Sequence, residues 1–223
     1  VLVIIPTTGT GWVNPIAAQA IESMYNGDTA LVAMQYSYLP SWISFLGDRE
    51  KSVDSARAMI DGIHTRWYAL PEGGRPRLLL YGESLGSFGG QGAFDWLPDI
   101  AEMDFSGVLW VGPPHESSLW SGLVQRRDPG TPEVQPRYDN GRTVRFSPAS
   151  DPADVAATAA PPWEGTRVLF LGPDEPFDGD LSAIVRQMHD STVADWQHWV
   201  RGLALPLDWQ DIVIRAAIAL KLC

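Results

Sequence analysis

The stretch Arg77-Leu-Leu-Leu-Tyr-Gly-Glu-Ser-Leu-Gly-Ser87 decides how this chain is read. Leu78 to Tyr81 is a short apolar run, the pattern of a strand buried on both faces. It ends in Gly82-Glu83-Ser84-Leu85-Gly86, which has the G-x-S-x-G spacing of a nucleophile elbow. The two glycines have a steric reason. A serine swung out on a tight strand-to-helix turn leaves no room for a Cβ two residues before it or two after it. Ser87, Gly89, Gly90 and Gly92 follow, small residues that let a helix pack closely on a sheet. Ser84 is therefore a candidate nucleophile, with the N–H of Leu85 directed at a forming oxyanion. The pentapeptide by itself is weak, and the competing reading is an ordinary strand–turn–helix corner with a bystander serine. The strand before it and the small residues after it favour the elbow.

Outward from this stretch, 223 residues suffice for one sizeable core and fall short of two, so the expectation is a single domain over 1–223. With 45% apolar and 19% charged residues, the composition is globular and not that of a disordered chain. A net charge of −11 argues against nucleic acid and against adhesion to anionic lipid, since both need clustered Lys and Arg. Cys223 is the one cysteine, which excludes an intrachain disulfide and a cysteine-based metal site. The chain opens in an apolar run and closes on an apolar helical pattern, as expected of a domain cut from a longer polypeptide. Val1–Ile21 and Thr29–Gly47 carry no charge, but Pro and Gly interrupt both, which suits strand-plus-loop better than a membrane helix.

Val1–Ile5 reads as a central strand, and Pro6–Gly11 as the loop after it. Asn14-Pro15 supplies an N-cap and first helical residue, and Ile16, Ala20, Ile21 and Met24 are expected on the inner side of that helix. Thr29–Ser37 is a second strand. Ser52–Tyr68 is a helix, with Val53, Ala56, Met59, Ile60, Ile63 and Trp67 at helical spacing. Gly107–Gly112 and Arg167–Gly172 are further strands. Strands alternating with helices predict an α/β fold with a mostly parallel sheet flanked by helices, its ligand at the strands' carboxyl ends. Residues 113–164, rich in Pro, Gly and Asp, read as a long insertion on the active-site side, with one strand-like piece at Thr143–Phe146.

A serine nucleophile needs a base, an acid that orients the base, and an oxyanion pocket. In this kind of fold the chain order is serine, acid, histidine. Asp174 and Glu175 follow the strand at 167–172 and are the acid candidates, with Asp151 as a rival. The second oxyanion donor is expected from the backbone at Thr7 or Thr8, where Gly9 and Gly11 permit close approach of the loop. Of the four histidines, His64 precedes the elbow and reads as structural. His115 is expected to line the pocket together with Gly9 and Glu83, though it comes before the acid; His189 and His198 lie on helical patterns. Trp196, Trp199, Val200 and Trp209 read first as core aromatics and second as a membrane-facing patch. No metal-ligand or phosphate-loop spacing occurs, so no metal and no cofactor are expected.

Four stretches together carry a resemblance: Val3-Ile-Ile-Pro-Thr-Thr-Gly-Thr-Gly-Trp12, Ala33-Met-Gln-Tyr-Ser-Tyr-Leu-Pro-Ser-Trp42, Tyr81-Gly-Glu-Ser-Leu-Gly-Ser87 and Gly112-Pro-Pro-His115. Up to about Leu171 the chain resembles the actinobacterial membrane-linked α/β-hydrolase family. The resemblance implies a nucleophile at Ser84 and a parent protein held in the membrane by an N-terminal domain that this sequence lacks, the hydrolase portion itself being soluble. It also implies Glu175 in the acid's place and a histidine just past Cys223. The expected activity is cleavage of carboxylic esters, of small molecules or lipids, through an acyl-enzyme. The alternatives are an acyltransferase using the same intermediate, and a non-catalytic binding module lacking its histidine. Oligomeric state and physiological substrate are not readable from the residues.

Overall fold

The computed structural model describes residues 1–37, 49–133, 136–148 and 162–172, and beyond these only residues 186, 190–191, 193–194, 197–202 and 213–214. The chain divides into two compact units, 1–174 and 175–223. In the second, the described residues are mostly helical, and the N–H of Gly202 donates to the carbonyls of His198 and Trp199.

The first unit is built on six strands: β1 (Leu2–Ile5), β2 (Ala30–Ala33), β3 (Leu78–Glu83), β4 (Gly107–Val111), β5 (Val144–Pro148) and β6 (Arg167–Gly172). All pairings are parallel, in the order β2-β1-β3-β4-β6-β5. The helices are α1 (Pro15–Met24), α2 (Arg49–Tyr68), α3 (Leu85–Gly92), α4 (Leu97–Glu102) and α5 (Ser118–Gln125). The predicted α/β fold with a parallel, helix-flanked sheet is what the chain adopts.

Why the strands are apolar throughout is visible in how they divide between two faces. Ile4, Leu78, Leu80, Val108 and Trp110 point into one cluster with Met59 and Ile60 of α2, Ile100 of α4, and Leu119 and Leu123 of α5. Their alternates Val3, Ile5, Leu79, Tyr81, Leu109 and Val111 form the other cluster, which Val13, Ala17 and Ile21 cover. Each fully buried Leu or Phe here contributes roughly 2 kcal/mol.

Two expectations are corrected. The inner face of α1 is Ala17 and Ile21, whereas Ile16 and Met24 point outward, 76% and 69% exposed. The stretch 113–164 is less irregular than expected: it carries the unexpected helix α5, while the strand-like piece expected at Thr143–Phe146 forms as the edge strand β5, whose Phe146 stacks on Phe170 of β6 at 5.1 Å. Burying that ring on the sheet edge outweighs the polar surroundings that made the strand hard to read.

Strand order reverses between β1 and β3. The chain leaves β1 toward β2 on one side, and leaves β3 toward β4 on the other, with α1 and α2 on opposite faces. The loops after β1 and β3 therefore part at their carboxyl ends and leave a crevice. Ser84 follows β3 at that point. No helix among the described residues is long and apolar enough to cross a membrane.

Candidate active site

Ser84 occupies the N-cap position of α3 at φ 52° and ψ −116°. A positive φ is strained for a residue with a Cβ, at a cost of about 1–3 kcal/mol. An ordinary cap serine turns its hydroxyl onto the helix's free N–H groups. Ser84 makes no such bond and is exposed. Its backbone is held from both sides: the N–H donates to the Val111 carbonyl at 2.9 Å, and its carbonyl accepts from the Phe88 N–H at 3.0 Å. Strand ladder and helix together keep the strained geometry in place.

The glycines of the elbow are required by space. A Cβ on Gly82 would lie 2.8 Å from both the Gly86 carbonyl oxygen and Trp110 Cζ3. One on Gly86 would run into the Pro6 carbonyl oxygen. Further along α3, Gly90 faces Trp110 of the sheet, while Gly89 and Gly92 meet Ser52 and Val53 of α2. The small residues thus serve two contacts, one with the sheet and one with a neighbouring helix.

Ser84 shares a cleft of about 70 Å³ with Thr7, Thr8, Trp12, Asn14, Tyr81 and Glu83. Thr7 is buried, and its hydroxyl donates toward the carbonyls of Thr8 and Met34, at 2.9 and 2.8 Å. That fixes the loop whose backbone was expected to supply an oxyanion donor. Leu85, the other expected donor, is buried as the first residue of α3, where helix geometry offers its N–H no acceptor in the preceding turn. Glu83 accepts from the Tyr81 phenol at 3.1 Å and faces Asn14 Nδ2 at 3.5 Å. Burial, then the Glu83 charge and the hydrogen bond to it, push the Tyr81 phenol well above its usual range.

Thr7, Thr8, Glu83 and Ser84, all singled out from the sequence, are therefore brought together. Gly9 is buried and does not line the cleft; its carbonyl accepts from the N–H groups of Tyr36 and Ser37, tying the loop to the segment after β2. His115 is exposed in the loop after β4, on the same edge of the sheet, and is not among the cleft's lining residues. Its neighbour Glu116 pairs with Arg49 at the start of α2. His64 lies near the end of α2 that leads into β3, the opposite end from the elbow, with its ring 5.6 Å from Trp67. His198 is exposed in the second unit. Asp151, Asp174, Glu175, His189, Trp196 and Trp209 lie outside the described residues. Sequence reasoning missed Tyr81 and Trp12 as cleft residues. Tyr81 was findable, because positions 81 and 83 of a strand share a face.

A wider depression, about 600 Å³, lies along residues 125–132. It holds no candidate nucleophile, and its cation, Arg127, is engaged by the Val124 and Thr131 carbonyls and by Glu133. Its size is that of an open surface hollow, whereas the smaller cleft holds Ser84. Among the described residues no group of three or more His, Cys, Asp or Glu could hold a metal ion.

A parallel sheet flanked by helices, with an exposed serine on a strained turn at the crevice, is the arrangement of an α/β-hydrolase. Residues 1–176 match the alpha/beta-hydrolase family, and the chain belongs to that family. Among curated proteins and among solved structures nothing matches. Family membership is consistent with an enzyme that hydrolyses its substrate.

Proposed function

We propose that the protein is a serine hydrolase that cleaves carboxylic esters through an acyl-enzyme on Ser84. The observation that carries this reading is the backbone of Ser84, held at φ 52° with its side chain exposed in a cleft and free of any capping bond. Ser84 Oγ attacks the ester carbonyl while a histidine takes its proton. The oxyanion is stabilised by the N–H of Leu85 and by the Thr7–Thr8 backbone. The histidine then returns the proton to the leaving alcohol. Water, activated by the same histidine, releases the acid and restores the serine. Asp174 or Glu175 orients the histidine. Among the described histidines His115 is the one in the first unit on the elbow's edge of the sheet, which supports it as a base candidate beside those further along the chain. The substrate is a small-molecule or lipid ester, and the membrane link of the parent protein belongs to the same proposal.

Labelling with a fluorophosphonate probe, with the modified residue mapped by mass spectrometry, tests this. The expected result is modification at Ser84, absent in Ser84→Ala, together with hydrolysis of a short aryl ester. A protein that neither labels nor hydrolyses any ester is a binding module built on a hydrolase fold.

A further inference from the structure

Glu83 brings a carboxylate into the cleft that holds Ser84. Its two partners are neutral and are fixed from elsewhere. Tyr81 is 7% exposed in the cluster beneath α1. Asn14 has Oδ1 committed to the N–H groups of Ile16 and Ala17, at 3.0 and 3.4 Å, which directs its NH2 toward Glu83. Among the described residues no Lys, Arg or His pairs with Glu83. A carboxylate has about four acceptor positions, and two neutral donors leave part of it open to the cleft. The same cleft is lined by Trp12, which is 54% exposed. An indole attracts cations through its ring quadrupole.

We infer that Glu83 and Trp12 form a subsite for an organic cation: an ammonium or quaternary ammonium group carried by the ester close to its scissile bond. One carboxylate and one indole lining the same cleft suit an ammonium better than a metal ion, which needs several oxygen ligands. The same charge disfavours esters bearing a carboxylate near the carbonyl, and the net charge of −11 acts in the same direction. The subsite rests on the ester-cleaving reading of Ser84 and adds to it a substrate class.

The test uses the full chain and three esters of matched size: acetylcholine, its neutral isostere with carbon in place of nitrogen, and an ester carrying a carboxylate. The cationic ester is expected to exceed the neutral one in kcat/KM by roughly tenfold, the effect of one charge about 6 Å away in a half-exposed site. The anionic ester falls below both. Added salt shrinks the preference, because the discrimination is electrostatic. Glu83→Gln brings the cationic-to-neutral ratio close to unity, and Trp12→Leu lowers it part of the way. An unchanged ratio in Glu83→Gln overturns the subsite. Should that variant fail to fold, a wild-type ratio that is near unity or insensitive to salt overturns it equally. Loss of all turnover and of Ser84 labelling in the wild type is a different outcome, which removes the esterase reading itself.

Discussion

The carbonyl oxygen of Pro6 fills the space that a side chain on Gly86 would need. The loop after β1 and the first turn of α3 are thereby in backbone contact, and this contact sets the distance between Thr7 and Ser84. Backbone cannot swing aside as a side-chain tip can. Gly86→Ala is therefore expected to destabilise the first unit by about 3 kcal/mol, the upper part of the range for overpacking. Urea denaturation measures it, and the surviving folded fraction should label poorly at Ser84.

Ser84 itself stores strain. Both Ser84→Ala and Ser84→Gly remove the hydroxyl, but only glycine relieves the left-handed backbone at φ 52°. After the larger chain entropy of glycine in the unfolded state is set against the relief, Ser84→Gly should be more stable than Ser84→Ala by about 1 kcal/mol. Matched denaturation curves of the two variants decide the point.

Tyr81 predicts an alkaline sensitivity. Its phenol titrates higher in the folded protein than in the unfolded chain, because burial and then the Glu83 charge disfavour the phenolate. The folded state thus holds the proton that the unfolded state releases above about pH 10. The stabilisation is complete below that pH and is lost as pH rises toward the folded value. Stability measured in urea between pH 8 and 11 should fall less steeply for Tyr81→Phe than for wild type.

Gln91 is fully buried, its Nε2 donating to Ser87 Oγ and its Oε1 accepting from the Trp120 N–H, both at 2.9 Å. Gln91→Ala removes two bonds, orphans a buried hydroxyl and amide and opens a cavity, at an expected cost of about 3 kcal/mol. Gln125 is exposed, so Gln125→Ala should stay within about 0.5 kcal/mol. The contrast between the two, in one denaturation series, checks that burial is the cause.

How far the residues alone led is clearest at three places. The elbow was legible because apolar strand, glycine spacing and small-residue helix all answer one steric problem, and β3 and α3 form where that reading puts them. The phase of α1 was not. Val13, Ala17 and Ile21 repeat every four residues, but so do Ile16, Ala20 and Met24, so periodicity identifies a helix without telling which apolar stripe meets the sheet. Strand β5 was only half legible. It has five residues, and its packing is visible only once Trp120, Phe146 and Phe170 are brought together from three distant parts of the chain. At the site, Ser84, Glu83, Thr7 and Thr8 were named from local pattern. Trp12 needed the course of the loop after β1, which local pattern does not encode.

Asn14 carries two duties on a single amide group. One end of its amide starts α1, and the other end reaches the Glu83 carboxylate in the cleft that holds Ser84. A change that removes the whole amide loosens the start of α1 and also frees Glu83 to swing. Trp12 lines the same cleft and caps no helix, so it can change without unfastening α1.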